Sequence, residues 1–137
     1  MKNFFSPSPL WQQSGLGCIR IIVGIFMIYH GSEVFDPEKM KMYTTWDIFK
    51  NSSGSVMVYM GKSAELLAGI MLALGCFTRI GSVMLILTML YLSFFVGHGK
   101  IWYEDQYPFL FALLGLVFFF TGPGKWSIDN LLFRPRR

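Results

Sequence analysis

Five ionisable side chains interrupt long apolar runs of this sequence. Arg20, His30 and Glu33 lie in the first run, and Lys62 and Glu65 lie in the second. A charge inside a membrane-spanning stretch costs several kcal/mol unless it is paired or hydrated, so each one is a candidate functional residue. The sequence therefore predicts a polar site that is buried within a membrane protein.

Glu65 and His30 are the candidate catalytic residues of this site. A carboxylate and an imidazole in a low-dielectric environment have shifted proton affinities, so they can exchange protons with a lipid-soluble molecule. Reduction of a quinone takes up two electrons and two protons, which makes a quinone-like head group a suitable ligand. The candidate ligand-binding residues are Arg20, His30, Glu33, Lys62, Glu65 and His98.

Two other interpretations of the same residues stay open. In the first, Glu65 has a purely structural role: it neutralises Lys62, Arg20 or His30 and so locks the helices together. Ion conduction is the second alternative. No metal or haem site is expected, because the two histidines, His30 and His98, have no partners at ligand spacing. Cys18 and Cys76 form no Cys-x-x-Cys motif and are expected to be small packing residues.

Four apolar runs have to position these groups, at residues 15–35, 56–77, 80–96 and 107–121. A helix needs about 20 apolar residues to cross a bilayer. Hydrophobic residues make up 53% of the 137-residue chain and charged residues only 15%, against about 25% charged in a soluble domain. We expect one all-α domain over 1–137, an integral membrane antiparallel four-helix bundle. Lys62 and Glu65 share a helix face, which Gly69 continues as a narrow surface for another helix.

The segment between the first two spans is predicted to be an amphipathic helix over 37–50. Asp36 is suited to its N-cap and Pro37 to its first position. Met42, Tyr43, Trp46 and Phe49 recur at helical spacing. The helix is expected to lie on the membrane surface or to cap the bundle, as an anchor or as a lid over a substrate.

Basic residues predict the orientation in the membrane. One face is rich in cations, and on the other four lysines are offset by five acids. The first face carries Lys2, Arg79, Lys125, Arg134, Arg136 and Arg137. Because the basic side is normally cytoplasmic, both termini are expected inside. The cations lie beside spans and form no patch with interleaved aromatics, so nucleic acid is excluded as a partner.

A family resemblance is carried by motifs across nearly the whole chain. The C-terminal segment Gly-Pro-Gly-Lys-Trp-Ser-Ile-Asp at 122–129 resembles the signature of the DoxX family of small four-span bacterial membrane proteins. Further matches are Arg20, the His30-Gly31 pair, Glu65, Gly69, Gly75 and Arg79. Members resemble the membrane subunit of thiosulfate:quinone oxidoreductase, and others are linked to redox complexes for thiol and oxidative stress. The resemblance implies a bacterial inner (plasma) membrane location and importance for Arg20, His30, Glu65 and Arg79.

The expected function is that of a redox-associated inner-membrane protein that binds a quinone in its polar pocket. Glu65 would exchange protons, His30 would be a hydrogen-bond or proton partner, and Arg20 would be an internal counter-charge. One alternative is a non-catalytic scaffold or assembly subunit for a partner oxidoreductase, and a second is a carrier of small solutes or protons. The expected partners are the lipid bilayer, an oxidoreductase subunit and a second copy of the chain that packs through glycine-rich faces.

Overall fold

A computed structural model describes residues 9–133, and every regular element in that range is helical. The α-helices are α1 (Gln12–Gly31), α2 (Pro37–Thr44), α3 (Gly54–Leu74), α4 (Thr78–Tyr91), α5 (Gln106–Thr121) and α6 (Ile128–Phe133). Short 3₁₀ turns occupy Ser32–Phe35 and Asp47–Phe49, and the π-helical turn Leu92–Val96 extends α4. The prediction of an all-helical protein is confirmed. Lys2, Arg134, Arg136 and Arg137, on which the predicted orientation partly depends, lie outside the described residues.

Three helical segments are long and apolar enough to cross a membrane. They are Gln12–Phe35, Gly54–Leu74 and Thr78–Val96, with 24, 21 and 19 residues, and they correspond to the first three predicted runs. The fourth run is the shorter helix α5, whose 16 residues are about 24 Å long at 1.5 Å per residue. Large apolar side chains remain exposed on the helix surfaces, as lipid contact requires, among them Ile22, Ile25, Phe26, Met60, Leu67, Ile70, Leu110, Leu113 and Phe120.

The central helices share one apolar core. Its buried members come from α1, α3, α4 and α5: Val23, Met27, Ala68, Leu72, Leu85, Met89, Ala112 and Phe118. Helix α3 packs extensively against both α1 and α4, and α4 packs against α5. Helices α1 and α5 have little direct contact, and the rings of Phe26 and Phe111 meet edge to face across the gap between them.

Glycines allow α1 and α3 to approach closely. A side-chain carbon at Gly24 would collide with the main chain of Ala73, and one at Gly31 would collide with Leu66. On α3, a Cβ at Gly69 would lie 2.6 Å from the Ile28 nitrogen. The contacts of Gly24 and Gly31 run in opposite order along α3, so the two helices are antiparallel. Gly69 thus provides the narrow surface that the sequence predicted.

The segment between α1 and α3 differs from the single predicted helix over 37–50. It begins as expected, because the Asp36 carboxylate accepts hydrogen bonds from the nitrogens of Glu38 and Lys39, with Pro37 in the first position. Helix α2 nevertheless ends at Thr44, where the hydroxyls of Thr44 and Thr45 bond back to main-chain carbonyls. Local bonds of this kind compete with helix continuation.

The buried face of this segment also differs from the predicted one. Met40 and Phe49 are buried together with Val58 of α3, whereas Met42 and Trp46 are exposed. The break after Thr44 rotates the second half of the segment, so a single helical period cannot describe both halves. The segment packs on the loop end of the helices, which we define as the end opposite the start of α1.

Candidate functional site

Glu65 lies at the centre of a buried ionic cluster near the loop end. It is only 3% exposed, and its Oε2 accepts a hydrogen bond of 3.0 Å from the Nζ of Lys62, one turn earlier on α3. The same Nζ lies 2.9 Å from Oε2 of Glu33, which α1 and the following 3₁₀ turn bring to the cluster. The predicted sharing of one helix face by Lys62 and Glu65 is confirmed, and a second carboxylate joins them.

Helix α2 adds two side chains that sequence reasoning did not assign to the site. The Nζ of Lys39 donates to Oε1 of Glu33 at 3.1 Å, and the Tyr43 hydroxyl donates to Oε2 at 2.7 Å. Burial and then the hydrogen bond to Glu33 raise the pKa of the Tyr43 hydroxyl above its ordinary value. The ring of Tyr43 also lies 4.9 Å from the Lys62 ammonium, a distance that favours a cation–π interaction.

Two cavities meet at the Lys62–Glu65 pair. Cavity A, of about 200 Å³, lies between α3, α4 and the segment that joins α1 to α3, which we call the capping segment. Its further lining includes Tyr43, Trp46, Phe49, Thr88 and Tyr91. Cavity B, of about 210 Å³, lies among α1, α3, α4 and α5, with the further lining Met27, His30, Met89, Leu92, Tyr107, Pro108 and Phe111. A dry cavity of about 150 Å³ accommodates one benzene ring, so each cavity has room for a single ring.

The two histidines have different positions. His30 lines cavity B together with Lys62 and Glu65, although it is an exposed residue, and its ring packs edge to face against Tyr29 at 5.6 Å. His98 is exposed in the loop before α5 and lines neither cavity. Its main-chain nitrogen donates to the Asp105 carboxylate at 2.9 Å. The structure therefore brings His30, Glu33, Lys62 and Glu65 together and leaves His98 apart.

Arg20 lies at the other end of the helices, away from the cluster around Glu65 with which the predicted ligand-binding set grouped it. Its guanidinium is fully buried and donates to the carbonyls of Leu72 at 3.0 Å, Trp126 at 2.9 Å and Lys125 at 3.3 Å. Within residues 9–133 no carboxylate lies within ion-pair distance of it. Its partners are main-chain carbonyls near the end of α3 and in the C-terminal segment, which a spacing pattern cannot reveal.

The C-terminal motif explains why Arg20 has these partners. Both carboxylate oxygens of Asp129 accept hydrogen bonds from the first nitrogens of α4, from Phe77 at 2.7 Å and Thr78 at 2.8 Å. Ser127 caps α6 by accepting from the Asn130 nitrogen at 3.3 Å, as its position before that helix predicts. Arg20 and Asp129 together bind the motif 122–129 to the ends of α3 and α4. Their role is structural, at a distance from the cluster around Glu65.

The cluster offers proton donors and acceptors beside two ring-sized cavities. Lys62 can donate a hydrogen bond to a ligand oxygen, and Glu65 can accept one from a ligand hydroxyl. Among the described residues, no group of three or more histidine, cysteine or acidic side chains could hold a metal ion. The site is therefore suited to hydrogen bonding and proton exchange with a small cyclic molecule.

These features define a class, a small helical membrane protein with a polar site among its spans. The family model described as DoxX matches residues 15–98, and the chain belongs to the DoxX family. It is 29% identical over 126 residues to an uncharacterized protein of Haemophilus influenzae, covering 87% of this chain and 91% of that protein. No solved structure matches the chain.

Proposed function

We propose that this DoxX protein is a redox-associated protein of the bacterial inner membrane that binds a quinone-like molecule in cavity B. The observation that carries the proposal is the buried Lys62–Glu65 pair, which lines that cavity beside His30. In this proposal α5 is a fourth span, the chain is one four-helix domain, and both termini are cytoplasmic. Lipid surrounds the helices.

The contacts around cavity B support a ring ligand with two oxygens. The Lys62 ammonium would donate to a ring carbonyl, and Glu65 would accept the hydroxyl proton of the reduced form or return it. His30 would bond the second oxygen from the α1 side. The remaining lining is apolar or aromatic, including Met27, Met89 and Phe111, as expected for a site that holds an apolar ring.

An entry path for such a ligand is available between α1 and α5. These helices make little direct contact, and both contribute side chains to cavity B. A lipid tail attached to the ring could therefore remain in the bilayer while the ring lies beside Glu65. Reduction of the ring requires an electron donor, and we propose that a membrane-bound partner oxidoreductase supplies the electrons.

The first test is mass spectrometry of lipophilic molecules that copurify with the protein from its native membrane. The wild type is compared with Glu65→Gln and with the control Glu104→Gln, which removes an acid from an exposed ion pair with Lys100. We expect a quinone in the wild type and the control, and its loss from Glu65→Gln. Binding of a short-chain benzoquinone to the three purified proteins should follow the same pattern, with binding by the wild type and Glu104→Gln and none by Glu65→Gln.

The outcomes separate the candidate functions. Phospholipid alone in all three samples, without binding of the added benzoquinone, would contradict the quinone site and favour a scaffold for a partner enzyme. Retention of the quinone by Glu65→Gln would move the ligand away from cavity B. Proton or solute flux in sealed vesicles would favour a carrier.

A further inference from the structure

The ionic cluster extends from Glu65 to the surface as an unbroken series. From Oε2 of Glu65 the distances are 3.0 Å to Lys62, 2.9 Å on to Glu33 and 3.1 Å on to Lys39. The exposed fractions of these side chains are 4%, 15%, 13% and 44% in that order. The series thus connects a buried carboxylate to an ammonium group that is exposed at the surface.

We propose that this series is the proton path between Glu65 and the aqueous phase at the loop end, with Glu33 as its relay. The proposal rests on the role proposed above for Glu65 as a proton-exchanging group, and it adds Glu33 and Lys39 to the working residues. Tyr43 is a positioning residue, because its hydroxyl holds the Glu33 oxygen that faces Lys62.

Each transfer along the path balances in protons and charge. Lys62 gives a proton to Glu65 as one N–H bond breaks and an O–H bond forms. Lys39 gives a proton to the Glu33 carboxylate and takes one from water, and Glu33 then passes a proton to the Lys62 nitrogen, which restores the Glu33 carboxylate. The net change is one proton moved from water to Glu65, while Lys62 is again an ammonium and Glu33 again an anion.

The surroundings of the path favour it over a direct route through the capping segment. Met40, Phe49 and Val58 pack together there, with Val34 and Ile48 against them. These side chains cannot carry a proton. The other titratable groups that line the two cavities around Glu65 are His30 from α1, Tyr43 from α2, Tyr91 from α4 and Tyr107 from α5. His30 is the competing carrier among them, because it is exposed and lines cavity B.

The test follows the protonation of Glu65 after a pH jump by time-resolved infrared spectroscopy of the purified full-length protein. The band of the Glu65 carboxylic acid is identified by its absence from Glu65→Gln. We expect Glu33→Gln and Lys39→Met to slow its appearance at least about tenfold, equivalent to about 1.4 kcal/mol of barrier. The final amplitude of the band at equilibrium should equal that of the wild type. Lys50→Met is the matched control, because Lys50 is an exposed lysine that pairs with Asp47 and not with this series.

Each other result overturns the path. An unchanged rate in Lys39→Met and Glu33→Gln would exclude these residues as carriers, and slowing in His30→Gln alone would assign the route to cavity B. If Glu33→Gln fails to fold, Lys39→Met decides the question. A Glu65 that never gains a proton between acid and alkaline pH would also contradict the path. Benzoquinone binding is measured separately, so a failed ligand site and a failed path can be told apart.

Discussion

Glu65 and Lys62 have different numbers of ion-pair partners within the cluster. Glu65 has only Lys62 as an ion-pair partner among the described residues, whereas Lys62 also pairs with Glu33. Removal of one member of a buried pair leaves the other charge without compensation. The two members should therefore differ in their effect on stability, and this difference separates the structural contribution of the pair from its binding role.

We expect Lys62→Met to destabilise the protein by about 3 kcal/mol, because it leaves both carboxylates facing an apolar side chain. Glu65→Gln should cost only about 1 kcal/mol, since Lys62 keeps Glu33 and the amide still accepts a hydrogen bond. Reversible unfolding of the purified protein in mild detergent measures both values. Equal losses in the two variants would show that Glu33 does not compensate Lys62.

Ionisation of Tyr43 should reduce the stability of the folded protein at alkaline pH. Its pKa is raised in the folded protein by burial and by its hydrogen bond to Glu33. A raised pKa means that the neutral hydroxyl stabilises the fold fully below the unfolded pKa of about 10, and that this contribution is lost as the pH rises through the folded value.

The wild type should therefore lose thermal stability above about pH 10 more steeply than Tyr43→Phe, which has no hydroxyl to ionise at this position. At neutral pH the wild type should be more stable than Tyr43→Phe, because the variant lacks a hydrogen bond to a carboxylate, which contributes about 1.5 kcal/mol. Melting temperatures across the alkaline range test both statements. The other tyrosines are the same in both proteins, so parallel alkaline curves would show that Tyr43 does not contribute.

At the scale of elements, Arg20 and Asp129 hold the C-terminal motif against the ends of α3 and α4. We expect Arg20→Met to cost about 3 kcal/mol, because three buried or partly buried carbonyls lose a charged donor. The peptide bond after Lys125 should also become a better trypsin site, since the Lys125 and Trp126 carbonyls both bond to Arg20. Arg79→Met is the control, since Arg79 is an exposed arginine near the same end. Equal cleavage rates in the two variants would contradict this role of Arg20.

The contact between α1 and α3 depends on Gly69. Gly69→Val would place side-chain atoms where the main chain of α1 lies, near Ile28, and should destabilise the protein by about 2 kcal/mol or more through overpacking. Gly15→Ala on α1 meets no atom within 4 Å, so it should be neutral or slightly stabilising. Thermal unfolding of both variants in detergent checks the contrast, and equal melting temperatures would show that the helices can separate without cost.

Local spacing predicted the part of the site that lies on one helix. Lys62 and Glu65 are one turn apart, and the charges in apolar runs pointed to Glu33 and His30. Lys39 and Tyr43 were missed because their reach to Glu33 depends on the turn over Ser32–Phe35. Arg20 was grouped with the ligand-binding residues, but its partners lie 52 to 106 residues away in sequence, at the other end of the helices. Such contacts follow from the docking of the C-terminal segment, which helical periodicity cannot show.

At the scale of the whole molecule, the two ends of the helices differ in what they contain. The end that carries the start of α1 is fixed by main-chain contacts, among them the bond from the Lys125 nitrogen to the Gln13 carbonyl at 2.7 Å. The loop end holds the ionic cluster and both cavities. Rigidity at the end with the start of α1 would keep α1, α3 and α4 in register while small movements at the loop end admit a ligand.

This division predicts where the two ends lie relative to the membrane. The start of α1 and the segment after α5 are in contact, so they must be on the same side, and the excess of basic residues there predicts that this side is cytoplasmic. In a protein without Cys18 and Cys76, single cysteines replace the exposed Lys41, Glu104 and Lys125. A membrane-impermeant maleimide should label Lys41→Cys and Glu104→Cys in intact bacterial cells, and Lys125→Cys only after permeabilisation.

Each departure from this pattern has its own meaning. Labelling of all three cysteines in intact cells would show that α5, at about 24 Å, does not cross the hydrocarbon core of about 30 Å. The reverse pattern would place both termini outside and put the proton path from Glu65 in contact with the cytoplasm. The expected pattern instead connects Glu65 to the outer aqueous phase, so a quinone reduced in cavity B would draw its protons from outside the cell membrane.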